Sequence, residues 1–164
     1  MALVTLPKLV GKAVVGNPGD VHSTQRNAVG ARCFGDNGAE FVYMQGIGSA
    51  VYGSWVNFDE DYVPILLDTD AAEMGRVAIA TAAIDATTEF GWYWIYGEAE
   101  GLCLASFLDD AIVFATSTAG SVDDTDTGVG FVTGAVGRSA RDTTTGTAVF
   151  ELNYPHISGA DLPN

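Results

Sequence analysis

The run Trp92-Tyr93-Trp94-Ile95-Tyr96, held between Gly91 and Gly97, constrains the fold of this chain more than any other feature. At a period of two, Trp92, Trp94 and Tyr96 fall on one face of a strand and Tyr93 and Ile95 on the other. Both faces are apolar, so the segment reads as a central strand covered on both sides. Similar short runs follow at turn-bounded spacing: 41–45, 55–58, 63–67, 77–84, 102–107, 111–116, 129–136 and 147–154, with 92–98 as the central member. The spacing predicts an all-β chain, a small antiparallel β-barrel or β-sandwich. Ala-rich residues 71–87 compete as a helix, but Gly75 and the β-branched Val77, Ile79, Thr81 and Ile84 favour a strand after a short turn or cap.

At 164 residues and 17.1 kDa the chain is one self-sufficient domain, able to bury roughly two-thirds of its unfolded surface. A composition of 48% apolar and 17% charged residues is wrong for disorder. The net charge of −14 and pI near 4.1 argue against binding nucleic acid or an anionic membrane. That charge is unevenly placed. Residues 1–58 hold Lys8, Lys12, Arg26 and Arg32 against Asp20, Asp36 and Glu40, a net of +1; residues 59–164 carry the remaining −15, relieved by Arg76, Arg138 and Arg141 alone. Residues 1–40 are rich in glycine and turn signals and lack a sustained apolar period, which predicts an extended N-terminal arm before a domain at 41–164. The other reading is a first β-hairpin, since Val10 to Val15 can pair as a strand. Lys8, Lys12, Pro7 and Gly11 interrupt the apolar N-terminus, so it does not read as an export signal, and no run approaches a membrane span of roughly 18 apolar residues.

Chemistry-bearing patterns are sparse. Cys33 and Cys103 form no CxxC and read as two buried thiols. His22 and His156 lack a nucleophile context or a metal partner and read as ordinary hydrogen-bonded or surface residues. Gly46-Ile47-Gly48 and Gly128-Val129-Gly130 with Gly134 read as turn and bulge glycines, since no phosphate-loop lysine accompanies them. Asp123-Asp124-Thr125-Asp126-Thr127-Gly128 alternates oxygen donors as a calcium loop does, but an EF-hand counted from Asp124 would need Glu where Ala135 stands, so an acidic turn is the reading. Asp59, Glu60, Asp61, Asp109 and Asp110 read as charged edges that oppose aggregation. No enzyme signature emerges, and neither a metal nor a cofactor is expected.

Four stretches together carry a family resemblance: Gly75-Arg76-Val77-Ala78-Ile79-Ala80, Phe90-Gly91-Trp92-Tyr93-Trp94-Ile95-Tyr96-Gly97, residues 115–124 (ATSTAGSVDD), and Phe150-Glu151-Leu152-Asn153-Tyr154-Pro155. This succession resembles the head decoration, or cement, proteins of tailed bacteriophages. The resemblance spans about half the chain and leaves residues 1–58 unmatched. It implies a small β-barrel without catalytic residues, located on the outer surface of the virion capsid, bound to the major capsid protein and self-associated as a homotrimer. In that setting Lys8, Lys12, Arg26 and Arg32 are the candidate capsid-binding arm, and Tyr52, Trp55 and Phe58 the candidate inter-subunit contacts, with a core role as their alternative. A second reading is a carbohydrate- or receptor-binding β-domain of a phage tail or spike, with Trp92, Trp94 or Trp55 stacking on sugar; it requires exposed tryptophans.

Overall fold

The computed structural model describes residues 9–10, 17–69, 75–126, 128 and 130–157. Eleven strands form one hydrogen-bonded network: β1 (Leu9–Val10), β2 (Arg32–Gly35), β3 (Glu40–Gln45), β4 (Trp55–Phe58), β5 (Pro64–Leu66), β6 (Gly75–Ala80), β7 (Phe90–Leu102), β8 (Ile112–Ala115), β9 (Val122–Asp123), β10 (Phe131–Gly137) and β11 (Thr147–Ile157). All strand pairs are antiparallel, the described residues contain no helix, and the sheet does not close into a barrel. The fold is all-β and sandwich-like.

The network branches. Along a single edge, β7 pairs first with β6 (Tyr93 with Ala80, Trp94 with Ile79) and then with β11 (Tyr96 with Asn153, onward to Leu102 with Thr147). Strand β11 in turn passes from β7 to β6, where His156 faces Arg76 and Ile157 faces Gly75. Each of the three therefore spends one edge on the other two, and its free edge starts a wing: β3, β2 and β1 from β7; β4 and β5 from β6; β10, β8 and β9 from β11. The switch in β11 falls at Tyr154 and Pro155. Proline has no N–H to give a ladder, and Tyr154 takes a left-handed φ of 48°, so the irregularity sits where pairing must change partner. Opposite, β10 bulges at Gly134, whose φ is 80° and where a Cβ would lie 2.6 Å from the Asn153 carbonyl oxygen.

The wings fold over one apolar core. Trp55 from β4, Val77 and Ile79 from β6, Trp92 and Trp94 from β7, Phe41 and Tyr43 from β3, and Phe150 and Leu152 from β11 meet there with residues of β8, β9 and β10. A smaller cluster on the opposite face joins Val42, Met44, Val56, Phe58, Ala78, Tyr93 and Ile95. The central-strand reading is thus correct: Trp92 and Trp94 enter one cluster, Tyr93 and Ile95 the other. Tyr96 departs from it. The β3–β7 register slips by one residue between Glu40–Tyr96 and Phe41–Trp94, and this turns Tyr96 outward to 38% exposure.

Boundaries differ from the sequence pattern for identifiable reasons. The expected strand at 77–84 stops at Ala80, because the Thr81 hydroxyl donates to the carbonyls of Trp92 and Pro18 and the chain turns, with Ile84 N–H bonding Ala82. No strand forms at 102–107: β7 runs on to Leu102, after which Ser106 adopts a φ of 74° and Phe107 turns into the core. The larger correction concerns the arm. Residues 17–40 lie on the body: β2 extends the β3 edge, Cys33 is buried in the main core, and the His22 and Phe90 backbones bond each other in both directions at 2.8 and 2.9 Å. Strand β1 adds to β2, with Val10 facing Phe34. The hairpin alternative is therefore the nearer one. Most of residues 1–16, Lys8 and Lys12 included, lie outside the described residues.

Candidate functional site

Of the three candidate contact aromatics, Trp55 and Phe58 lie in the core and Tyr52 packs partly against it. Trp55 is fully buried, meets Phe150 edge-on at 4.9 Å, and donates its indole N–H to the Leu102 carbonyl at 3.1 Å. Phe58 is buried and stacks on Tyr62 at 6.0 Å. Tyr52 is half-buried and donates its hydroxyl to Glu100 Oε2 at 3.1 Å, while Thr147 donates to Glu100 Oε1 at 2.5 Å. Burial, reinforced by the adjacent carboxylate, holds the Tyr52 phenol above its ordinary range. Two hydroxyl donors are what a buried carboxylate such as Glu100 needs when no cation accompanies it. Trp92 and Trp94 are likewise fully buried, so none of the three tryptophans offers a sugar-stacking platform.

His22 is buried and its Nδ1 lies 2.8 Å from the Tyr43 hydroxyl, which also accepts the Arg26 N–H at 3.3 Å. Burial, followed by the nearby Arg26 charge, pushes the His22 pKa down, against a smaller opposing effect of Asp20. His156 is exposed, 134 positions along the chain, and shares no site with it. Cys33 and Cys103 are free and buried, as the sequence suggested, and burial raises each thiol to about 12. In the acidic turn, Asp124 accepts the Leu108 N–H at 2.9 Å, which ties the turn to the 108–112 loop, and Asp126 accepts the Gly128 N–H at 2.7 Å, a turn-capping role. Among the described residues no group of three His, Cys, Asp or Glu side chains is arranged to hold a metal.

What the fold does assemble is a cationic, aromatic recess over the three-way junction. Strand β6 places Arg76 opposite Phe58 of β4 and His156 of β11. Its guanidinium packs beside the stacked Phe58 and Tyr62 rings, 4.6 and 4.7 Å from their centroids, and donates to the Asp59 carbonyl at 2.6 Å. Strand β2 brings Arg32 to the other rim, 5.9 Å from the Tyr154 ring centre. Tyr154 packs against Tyr96 in a tilted pair at 5.1 Å and donates to Glu40 Oε1 at 2.7 Å, which fixes the ring. Val77, Ile95 and Pro155 supply an apolar floor, and the recess holds about 30 Å³.

Among the described residues neither guanidinium has a carboxylate within ion-pair distance; both ion pairs there belong to Arg138, with Asp110 at 3.1 Å and Glu151 at 2.8 Å. Of the expected arm cations, Arg26 and Arg32 are both exposed, and only Arg32 joins the recess. Sequence reasoning did not single out Arg76. Its signal, Phe58 and Tyr62 four positions apart, acquires meaning only once β4 and β6 are known to pair. Compared with family models, curated proteins and solved structures, the chain has no match.

Proposed function

We propose that this chain is a structural virion protein, which binds the outer surface of an icosahedral phage capsid and reinforces contacts between major capsid protein subunits. One observation carries the reading. Three of the four stretches that resemble decoration proteins coincide with the strands of the junction: 75–80 is β6, 90–97 opens β7, and 150–155 lies in β11 across the partner switch, while 115–124 runs from the end of β8 through β9. The likeness therefore follows the architectural centre of the molecule instead of scattered surface residues. The charge distribution is consistent with it, because exposed carboxylates on solvent-facing loops keep decorated particles from associating with one another.

The reading places shell contacts on the near-neutral N-terminal part, with Arg26 among the described cations and Lys8 and Lys12 beyond them. Co-sedimentation of the purified full chain with empty expanded shells, assembled from the major capsid protein encoded alongside it, tests this. Saturable binding at a fixed copy number per shell is expected. Failure to bind shells over a broad concentration range would overturn the reading.

A further inference from the structure

We infer that the junction recess receives the 108–112 loop of a second copy of this chain, with Asp109 of that copy seated between Arg32 and Arg76. The inference gives a surface to the self-association that the resemblance to decoration proteins implies, and in that it rests on the proposed function.

The recess side of the contact is built. Two guanidiniums line a small apolar-floored space, one packed against the Phe58 and Tyr62 rings and bonded to the Asp59 carbonyl, the other beside a hydrogen-bonded tyrosine, and among the described residues neither has an ion-pair partner. Guanidinium forks match carboxylates better than any other side-chain group. The available volume suits a carboxylate head and not a sugar ring or a large side chain.

Charge complementarity selects a second copy. The recess brings together two arginines without ion pairs among the described residues, and an acidic chain offers them a matching partner in its own carboxylate-bearing loops. Among these, the 108–112 loop combines three properties. Asp109 is exposed, and among the described residues its carboxylate accepts only the neighbouring Asp110 N–H at 2.9 Å. Leu108 and Ile112 on either side are 63% and 54% exposed, the two most exposed large apolar side chains of the described residues. The loop is also held in place, by Asp124 on the Leu108 N–H and by Arg138 on Asp110, so little ordering entropy is lost on docking. The acidic loop at 59–61 lacks this combination, since Asp59 is already occupied by the N–H groups of Asp61 and Val63. Recess and loop are different surfaces, which makes the contact head-to-tail. Such a contact closes into a ring when its rotation permits.

Sedimentation velocity of the full chain, with circular dichroism and tryptophan fluorescence as checks of folding, tests the contact. The wild type is expected to associate with increasing concentration and to dissociate as salt is raised. Arg32→Glu with Arg76→Glu, and separately Asp109→Arg, should each weaken association by at least about tenfold, the effect of losing one charge-assisted contact. Leu108→Ser, an exposed change that folding tolerates, serves as a second loop variant with the same expected direction. An equimolar mixture of the recess variant and the loop variant retains one intact recess and one intact loop. It should regain association, because the charge-reversed recess and the charge-reversed loop also attract each other. A wild type that stays monomeric, variants that assemble like the wild type, or a mixture that stays monomeric would each overturn the inference. Monomers that still decorate shells would sink this contact and leave the shell-binding reading standing; assemblies that ignore shells would do the reverse.

Discussion

The junction strands and the 17–31 segment are both attached to the body by many contacts, yet the two attachments differ in kind. At the junction, Trp55, Trp94 and Phe150 are fully buried in one apolar cluster, and β7 is covered on both faces. The 17–31 segment is held by backbone pairing at His22, the Thr81 hydroxyl on the Pro18 carbonyl, and the Tyr43 hydroxyl shared by His22 and Arg26. Apolar burial scales with area and is nearly independent of pH, whereas a few polar contacts each contribute modestly and depend on protonation. The difference predicts two levels of stability in one domain: a pH-indifferent junction and an acid-sensitive strap.

The largest effects should come from breaking the junction. Phe150→Ala removes the edge-on partner of Trp55 and a contact of Phe107. It should cost about 3–5 kcal/mol in urea denaturation. A loss under about 1 kcal/mol would mean that the junction is not the stability core. Deleting residues 1–40 comes next, because it removes β2, buried Cys33 and the His22 attachment. The truncated chain should show a lower and broader thermal transition, and an unchanged melt would restore the independent arm.

Tyr43→Phe keeps the ring but deletes the hydroxyl that holds His22 and the Arg26 N–H. About 1–2 kcal/mol should be lost, the usual cost of leaving buried polar groups unpaired. The smallest expected effect lies in the thiols. With burial raising Cys33 and Cys103 to about 12, iodoacetamide at neutral pH should label neither in the native protein and both in urea. Rapid native labelling of Cys33 would indicate that the β2 region opens far more readily than the junction.

This contrast also explains what could be read from the sequence. Alternating large residues at 92–95 announced a doubly covered strand, since apolar burial leaves a periodic trace. The placement of 17–40 left none, because a backbone pair at His22 and single hydroxyls at Thr81 and Tyr43 have no periodicity. Trp55 and Phe58 were ambiguous for a related reason: an aromatic residue serves a core and an interface equally well, and only the pairing of β4 with β6 decides. The recess was illegible because its parts, Arg32, Arg76 and Tyr154, come from three strands brought together by an irregular junction.

Hydrogen exchange across pH measures the two-level stability directly. His22 has a pKa held below its ordinary 6.5, so the folded state binds its proton less readily than the unfolded state. Its contribution is complete above that value and is lost as pH falls through and below it. Taking exchange from about pH 7.5 to about pH 5.5, corrected for intrinsic rates, should selectively deprotect the amides of His22, Phe90 and Gly30, while those of Trp94 and Ala99 keep their protection. Equal loss of protection in both sets, or none in either, would contradict the division between a polar strap and an apolar junction.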